Sequence, residues 1–153
     1  MRSYTQMYVM TVFGVKYRLG LIDPHWAPQL YAVIANSLKK LDGVMPIEIG
    51  GFKDHVHILY STQGKLSEVD IMSRIKVDSS KWINSHRLTV GRFGWQDGGG
   101  HFSYSQGQVE AVRTYIRNQW HHHSVVSFRE EYEKWLQTSG AEYCPYHLPS
   151  DPE

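Results

Sequence analysis

The hydrophobic period of this chain switches between the two-residue repeat of a strand and the 3.6-residue repeat of a helix in a fixed order. That order restricts the fold more than any composition value does. Residues 4–18 alternate β-branched and aromatic residues with polar ones (Tyr8, Val9, Thr11, Val12, Phe13, Val15, Tyr17), as a strand does. Asp23-Pro24 opens a helix in which Leu30, Val33, Ile34, Leu38 and Leu41 recur at helical spacing up to Asp42-Gly43. Residues 44–51 read as a second strand, Gly50-Gly51 with Lys53-Asp54 as a turn or bulge, and residues 55–60 as a third strand. Ser67-Glu68 starts a second helix, with Val69, Ile71, Met72, Ile75, Trp82 and Ile83 on its apolar side as far as about Asn84. Phe93-Gly94-Trp95-Gln96 and Phe102-Ser103-Tyr104-Ser105 read as short strands around the glycine run Gly98-Gly99-Gly100. Strand, helix, strand, strand, helix, strand predicts an α+β fold with a ferredoxin-like (RRM-like) antiparallel sheet and two helices on one face. Two further helices follow, one through residues 109–119 and one from Ser127 to about Ser139-Gly140.

A chain of 153 residues is long enough for one well-buried core and short for two, so residues 1–153 are expected to form a single domain. With 41% hydrophobic and 20% charged residues the chain is globular in composition, and no apolar run is long enough to span a membrane. The start, Met1-Arg2-Ser3-Tyr4-Thr5-Gln6, lacks a hydrophobic signal core, and the lone Cys144 has no partner for an internal disulfide. A cytoplasmic protein with an inert Cys144 is expected. Net charge is +1, yet its distribution is uneven. Arg74, Lys76, Lys81, Arg87 and Arg92 face only Asp78 within their stretch, whereas Glu130, Glu131, Glu133, Glu142, Asp151 and Glu153 outnumber Lys134 toward the end. The basic stretch could contact phosphates or could be a solvated helix face.

Chemistry concentrates in Asp54-His55-Val56-His57-Ile58-Leu59 and in Tyr115 with Gln119. Side chains two apart on a strand share a face, so His55 and His57 could grip one divalent ion, or could be hydrogen-bonded core residues. Gln119 lies one helical turn beyond Tyr115 on the same side. His122 falls two turns beyond Tyr115, where it could meet a phosphate or a proton, or could pack at a helix end. Trp82 and Trp95 read as core rather than as base-stacking platforms.

The segment from Asp54 to Leu59 resembles the histidine-hydrophobic-histidine motif of HUH nucleases. Further signatures narrow the resemblance to the single-tyrosine transposases of small bacterial insertion sequences (the IS200-like family). They are, in order, Ser79-Ser80-Lys81-Trp82-Ile83-Asn84, Trp95-Gln96-Asp97-Gly98, Phe102-Ser103-Tyr104-Ser105, Tyr115-Ile116-Arg117-Asn118-Gln119 with His122-His123, and Ser127-Phe128-Arg129-Glu130-Glu131-Tyr132. They cover nearly the whole chain. Gly99-Gly100-His101 departs from the tyrosine, glycine and small residue common in relatives, which bears on local loop contacts.

The resemblance implies cleavage and rejoining of single-stranded DNA at hairpin-marked element ends. His55, His57 and Gln119 would bind Mg²⁺ or Mn²⁺, and Tyr115, on a C-terminal helix, would attack the phosphate to leave a 5′-phosphotyrosine and a free 3′-hydroxyl. It also implies a homodimer whose active sites are shared between subunits. Arg74, Lys76, Lys81, Arg87 and Arg92 are the candidate DNA contacts. A domesticated relative that holds hairpins without cutting them is the rival reading. A metal-free two-histidine phosphoesterase fits poorly, because such enzymes need two H-x-S/T motifs. His101-Phe102-Ser103 supplies one and His55-Val56-His57 lacks the hydroxyl.

Overall fold

A computed structural model describes residues 1–123, 126–142 and 148; Cys144 lies outside the described residues. The chain runs β1 (Met7–Gly14), α1 (Ala27–Lys39), β2 (Val44–Gly51), β3 (His55–Thr62), α2 (Glu68–Ser85), β4 (Gly100–Tyr104), α3 (Val109–Arg117), α4 (Gln119–His122) and α5 (Phe128–Ser139). The four strands form an antiparallel sheet in the order β2-β3-β1-β4. This is the ferredoxin-like arrangement expected from the order of periods.

Strand alternation assigns the two faces of the sheet. From β3, Val56, Ile58 and Tyr60 join Leu30, Ile34 and Leu38 of α1 and Ile71, Ile75 and Ile83 of α2 in one core. Leu59, on the other face, joins Met10, Val12 and Phe102 of the sheet with Val109, Val112 and Ile116 of α3 and Phe128 of α5. Helices therefore cover both faces, and His55, Val56, His57, Ile58, Leu59 and Tyr60 are all essentially inaccessible to solvent. Removing that much apolar surface from water is the main favourable term holding the layers together.

Local chemistry sets the helix boundaries. Ser67 caps α2 by accepting the Asp70 N–H, Ser127 caps α5 by accepting the Glu130 N–H, and Gly140 ends α5 in the left-handed region (φ 72°). A capping box between Ser105 and Gln108 leads β4 straight into α3. Among the described residues no helix is long and apolar enough to cross a membrane.

Three local expectations differ from the fold. The first strand covers Met7–Gly14 rather than residues 4–18, because Tyr17 and Arg18 take left-handed backbone angles that a strand cannot contain. Residues 93–96 are not a strand. They make one isolated bridge, Val15 with Trp95, because the Phe93 and Trp95 rings pack edge-on against one another, Trp95 packs likewise on Phe13, and its indole N–H donates to Ser79 Oγ at 2.9 Å. The tyrosine helix is also interrupted. Asn118 has ψ 12° instead of the helical value near −42°, which separates α3 from α4. Gly50 is paired with His57 in the sheet, and a Cβ on it would lie 2.7 Å from the carbonyl oxygen of Ile116. A side chain there would hold the end of α3 away from the strand that carries the histidines.

Candidate metal centre and nucleophile

The site begins at the entry to β3. Tyr17 and Arg18 both adopt left-handed backbone angles (φ 60° and 57°), which turns the Arg18 side chain inward to 2% exposure. Its guanidinium lies 2.6 Å from Asp54 Oδ2, and Asp54 Oδ1 lies 2.7 Å from His55 Nδ1. Phe128 stacks flat on the His55 ring at 4.1 Å and receives the Arg18 guanidinium at 4.6 Å. Burial by itself would raise the Asp54 carboxyl, but hydrogen bonds from His55 and Arg18 outweigh it and hold the group at about 2. Burial pulls the His55 imidazole down to about 4 despite the Asp54 bond, so the ring is neutral near pH 7. With Nδ1–H donated to the carboxylate, Nε2 keeps its lone pair.

That lone pair faces other acceptors. Gln119 Oε1 lies 3.1 Å from His55 Nε2, and its orientation follows from the amide nitrogen, which donates to Glu131 Oε2 at 3.3 Å. Glu131 Oε1 lies 3.6 Å from His55 Nε2 and 2.8 Å from His57 Nε2, while His123 Nε2 is 3.0 Å from Glu131 Oε2. Donor atoms of His55, His57, His123 and Glu131 all fall within 4.8 Å of one another. Neighbouring ligands of an octahedral ion bound at 2.0–2.1 Å are roughly 3 Å apart, so this set of nitrogen and oxygen donors fits a divalent cation.

Tyr115 of α3 stands beside this set. Its ring meets His57 edge-on at 5.8 Å between centroids, its hydroxyl donates to Glu131 Oε2, and the Trp135 indole N–H donates to it at 3.2 Å. Burial, and then the adjacent Glu131 charge, push the phenol above its ordinary value, so it rests protonated. Burial alone would also raise the Glu131 carboxyl, yet hydrogen bonds from His123 and His57 outweigh this and keep it well below the usual carboxylate range.

The fold thus brings His55, His57, Tyr115 and Gln119 together, and the Tyr115 helix docks on the sheet of its own chain. Glu131 and His123 enter the same cluster without having been expected there. The available signal was that Phe128, Glu131, Tyr132 and Trp135 share one face of a helix, which places an acid in an apolar stripe. His122 also turns inward, with Nε2 3.2 Å from Glu131 Oε2. The basic residues lie elsewhere, on and after α2, whose buried side packs on the opposite face of the sheet. Arg74, Lys81, Arg87 and Arg92 are exposed, whereas Lys76 ties down the glycine loop by donating to the carbonyls of Gln96 (2.8 Å) and Gly98 (2.7 Å). A cleft of about 990 Å³ opens beside Tyr115, which walls it together with Glu131, Trp135, Tyr104, Phe102 and His101.

The protonation linkage has a measurable consequence for protein freed of metal by a chelator. The His55 value is lower in the folded chain than the ordinary 6.5, so its contribution is present above pH 6.5 and is lost as pH falls toward 4. The loss is expected to be about 3 kcal/mol. Asp54 removes about 2 kcal/mol more as pH falls from 3.8 through 2, the same direction, because its folded value is also depressed. Urea unfolding at stepped pH measures this; a flat profile between pH 7 and 4 would show that the His55 ring is not held neutral.

The family model for IS200-like transposases matches residues 3–119. No curated protein matches the chain. Among solved structures, the "putative transposase" from Deinococcus radiodurans R1 superposes with a TM-score of 0.60 at 19% identity, covering 78% of this chain and 96% of that one. A REP-associated tyrosine transposase bound to a REP hairpin superposes with a TM-score of 0.59 at 13% identity, covering 82% of this chain and 74% of that one. Identities this low speak for a shared fold, while the family match spans most of the chain and includes both histidines, Tyr115 and Gln119. The chain belongs to the IS200-like transposase family, whose members are DNA-cleaving enzymes.

Proposed function

We propose that residues 1–153 act as one domain that cuts and rejoins single-stranded DNA at hairpin-marked ends of a mobile element, in the cytoplasm, with Tyr115 as nucleophile. The observation that carries this reading is the placing of Tyr115 against a set of converging acceptors. The lone pair of His55 Nε2 meets Gln119 Oε1 at 3.1 Å while His57 presents its ring to the phenol. His55, His57 and Gln119 would hold Mg²⁺ or Mn²⁺, which when bound supplies a Lewis acid for the nonbridging oxygens of the scissile phosphate.

The chain's own residues do the rest. Asp54, clamped by Arg18, keeps the His55 ring in the tautomer that offers Nε2. Trp135 and Glu131 hold the Tyr115 oxygen in place on the cleft wall, which limits the motion needed to reach phosphorus. The Tyr115 hydroxyl passes its proton along its hydrogen bond to Glu131 Oε2 as its oxygen forms a bond to phosphorus and the bond from phosphorus to the 3′-oxygen breaks. That oxygen leaves as a 3′-hydroxyl after taking a proton. One phosphoester replaces another, so a strand bearing a 3′-hydroxyl can reverse the step without a nucleotide cofactor. Aromatic walls of the cleft suit unpaired bases. The exposed Arg74, Lys81, Arg87 and Arg92, with Lys76 between them, are proposed to contact hairpin phosphates away from the cut. The solved relative bound to a REP hairpin supports a hairpin ligand. We further propose a homodimer in which the α3 to α5 layer of one subunit completes the site of the other.

Incubation with end-labelled hairpin DNA and Mn²⁺ tests the central reading. A covalent protein–DNA adduct that survives denaturation, with a free 3′-hydroxyl on the released strand, is expected. A mobility shift without any adduct would identify a domesticated hairpin-binding protein instead.

A further inference from the structure

We infer that Glu131 supplies the charged ligand of the metal centre through one carboxylate oxygen while its other oxygen holds Tyr115, so that α5 joins the ion to the nucleophile. The inference rests on the metal reading given above and adds to it a residue on a helix beyond the tyrosine.

The two oxygens of Glu131 look in different directions. Oε1 faces the paired imidazoles, 2.8 Å from His57 Nε2 and 3.6 Å from His55 Nε2. Oε2 faces the other wall, where it accepts from the Tyr115 hydroxyl and lies 3.3 Å from the Gln119 amide nitrogen, 3.2 Å from His122 Nε2 and 3.0 Å from His123 Nε2. One carboxylate therefore touches the ion-binding atoms and the nucleophile together.

Its surroundings also point to a cation. Glu131 is 3% exposed, and the groups named around it are imidazoles, an amide and a phenol, none of which carries a fixed positive charge. A buried carboxylate costs several kcal/mol unless a charge compensates it. A divalent ion beside Oε1 would compensate it, and would also resolve the meeting of His55 Nε2 with Gln119 Oε1, two acceptors with no proton between them. Hard ions such as Mg²⁺ and Mn²⁺ prefer oxygen ligands and bind more tightly to a charged one than to an amide. Packing holds the residue where it is needed. Phe128 and Tyr132 of α5 pack against His55 and Phe102, which fixes the stretch of helix that carries Glu131 over the imidazoles.

Mn²⁺ binding measures this without reference to cleavage. Chelator-stripped full-length protein is titrated with Mn²⁺ and followed by calorimetry and by the free-ion electron paramagnetic resonance signal. Wild type is expected to bind one ion, and Glu131→Gln, which keeps the shape and an acceptor oxygen but removes the charge, is expected to bind at least about tenfold more weakly. In parallel, wild type made with ¹³C-labelled glutamate is expected to show a shifted carboxylate infrared band when Mg²⁺ is added. The label enters all eight glutamates, so a band that does not move rules out Glu131 even if the variant folds poorly, and a band that moves is assigned to Glu131 by its loss in Glu131→Gln. Equal affinity in Glu131→Gln, or a labelled band that does not move while Mg²⁺ binds, overturns the inference and leaves a centre of His55, His57 and Gln119 standing. Failure of wild type to bind Mn²⁺ overturns the metal reading and this inference with it.

Discussion

Tyr115→Phe is expected to form no covalent adduct with single-stranded hairpin DNA, a loss of more than about 10³-fold in cleavage, while hairpin affinity stays within about twofold. Only the attacking oxygen is removed. The ring remains against His57 and Trp135, so the wall of the cleft keeps its shape. The Trp135 N–H loses its acceptor and Glu131 loses one donor, which should lower stability by about 1 kcal/mol and leave the fold intact. Denaturing gels of labelled DNA measure the adduct, and a filter-binding titration measures affinity. Adduct formation by the Phe variant would mean that another residue attacks, and the assignment of Tyr115 would fall.

The second large effect is expected from His57→Ala. Removal of one imidazole should weaken Mn²⁺ binding on the order of 100-fold and abolish metal-dependent cleavage. The protein should still fold. Glu131 keeps His123, Gln119 and Tyr115 as partners, and the lost ring lies between Met10 and the helical layer, where a small void is tolerable. Mixing the two variants separates the ways a dimer could be built. If the α3 to α5 layer completes the site of the partner subunit, a dimer of one Tyr115→Phe and one His57→Ala chain contains one intact site of two, and because free exchange of equal amounts makes half of the dimers mixed, the mixture regains up to about a quarter of the adduct. If every site is made within one chain, as the docking of Tyr115 on its own sheet would allow, the mixture stays inactive.

Much of the site could be read along the chain because its rules are local. His55 and His57 share a face because strand side chains repeat every two residues, and Tyr115 and Gln119 lie on one side because they are four apart. The interruption at Asn118 did not spoil this, since Gln119 still reaches His55. The short strand expected at residues 93–96 failed for a nonlocal reason. Phe93 and Trp95 are apolar and alternate, but their rings are taken up by Phe13 and Ser79 rather than by a neighbouring strand. Likewise the charge of Arg74, Lys76 and Lys81 was visible in the sequence, whereas their position across the sheet from Tyr115, and the use of Lys76 to hold the glycine loop, were not.

Glu131 marks the boundary between the two kinds of information. Within Glu130-Glu131-Tyr132-Glu133 it looks like one acid among several on a solvated tail. Its burial depends on α5 packing its apolar stripe across the face of the sheet that holds the histidines, a contact between residues more than 70 positions apart, as His57 and Glu131 are. Periodicity along the backbone settles which side chains point the same way within one strand or helix, because neighbouring dihedrals fix it. Which element then closes over them is settled by the burial of apolar surface from distant parts of the chain, and it was that closure which brought a carboxylate between the imidazoles and the phenol.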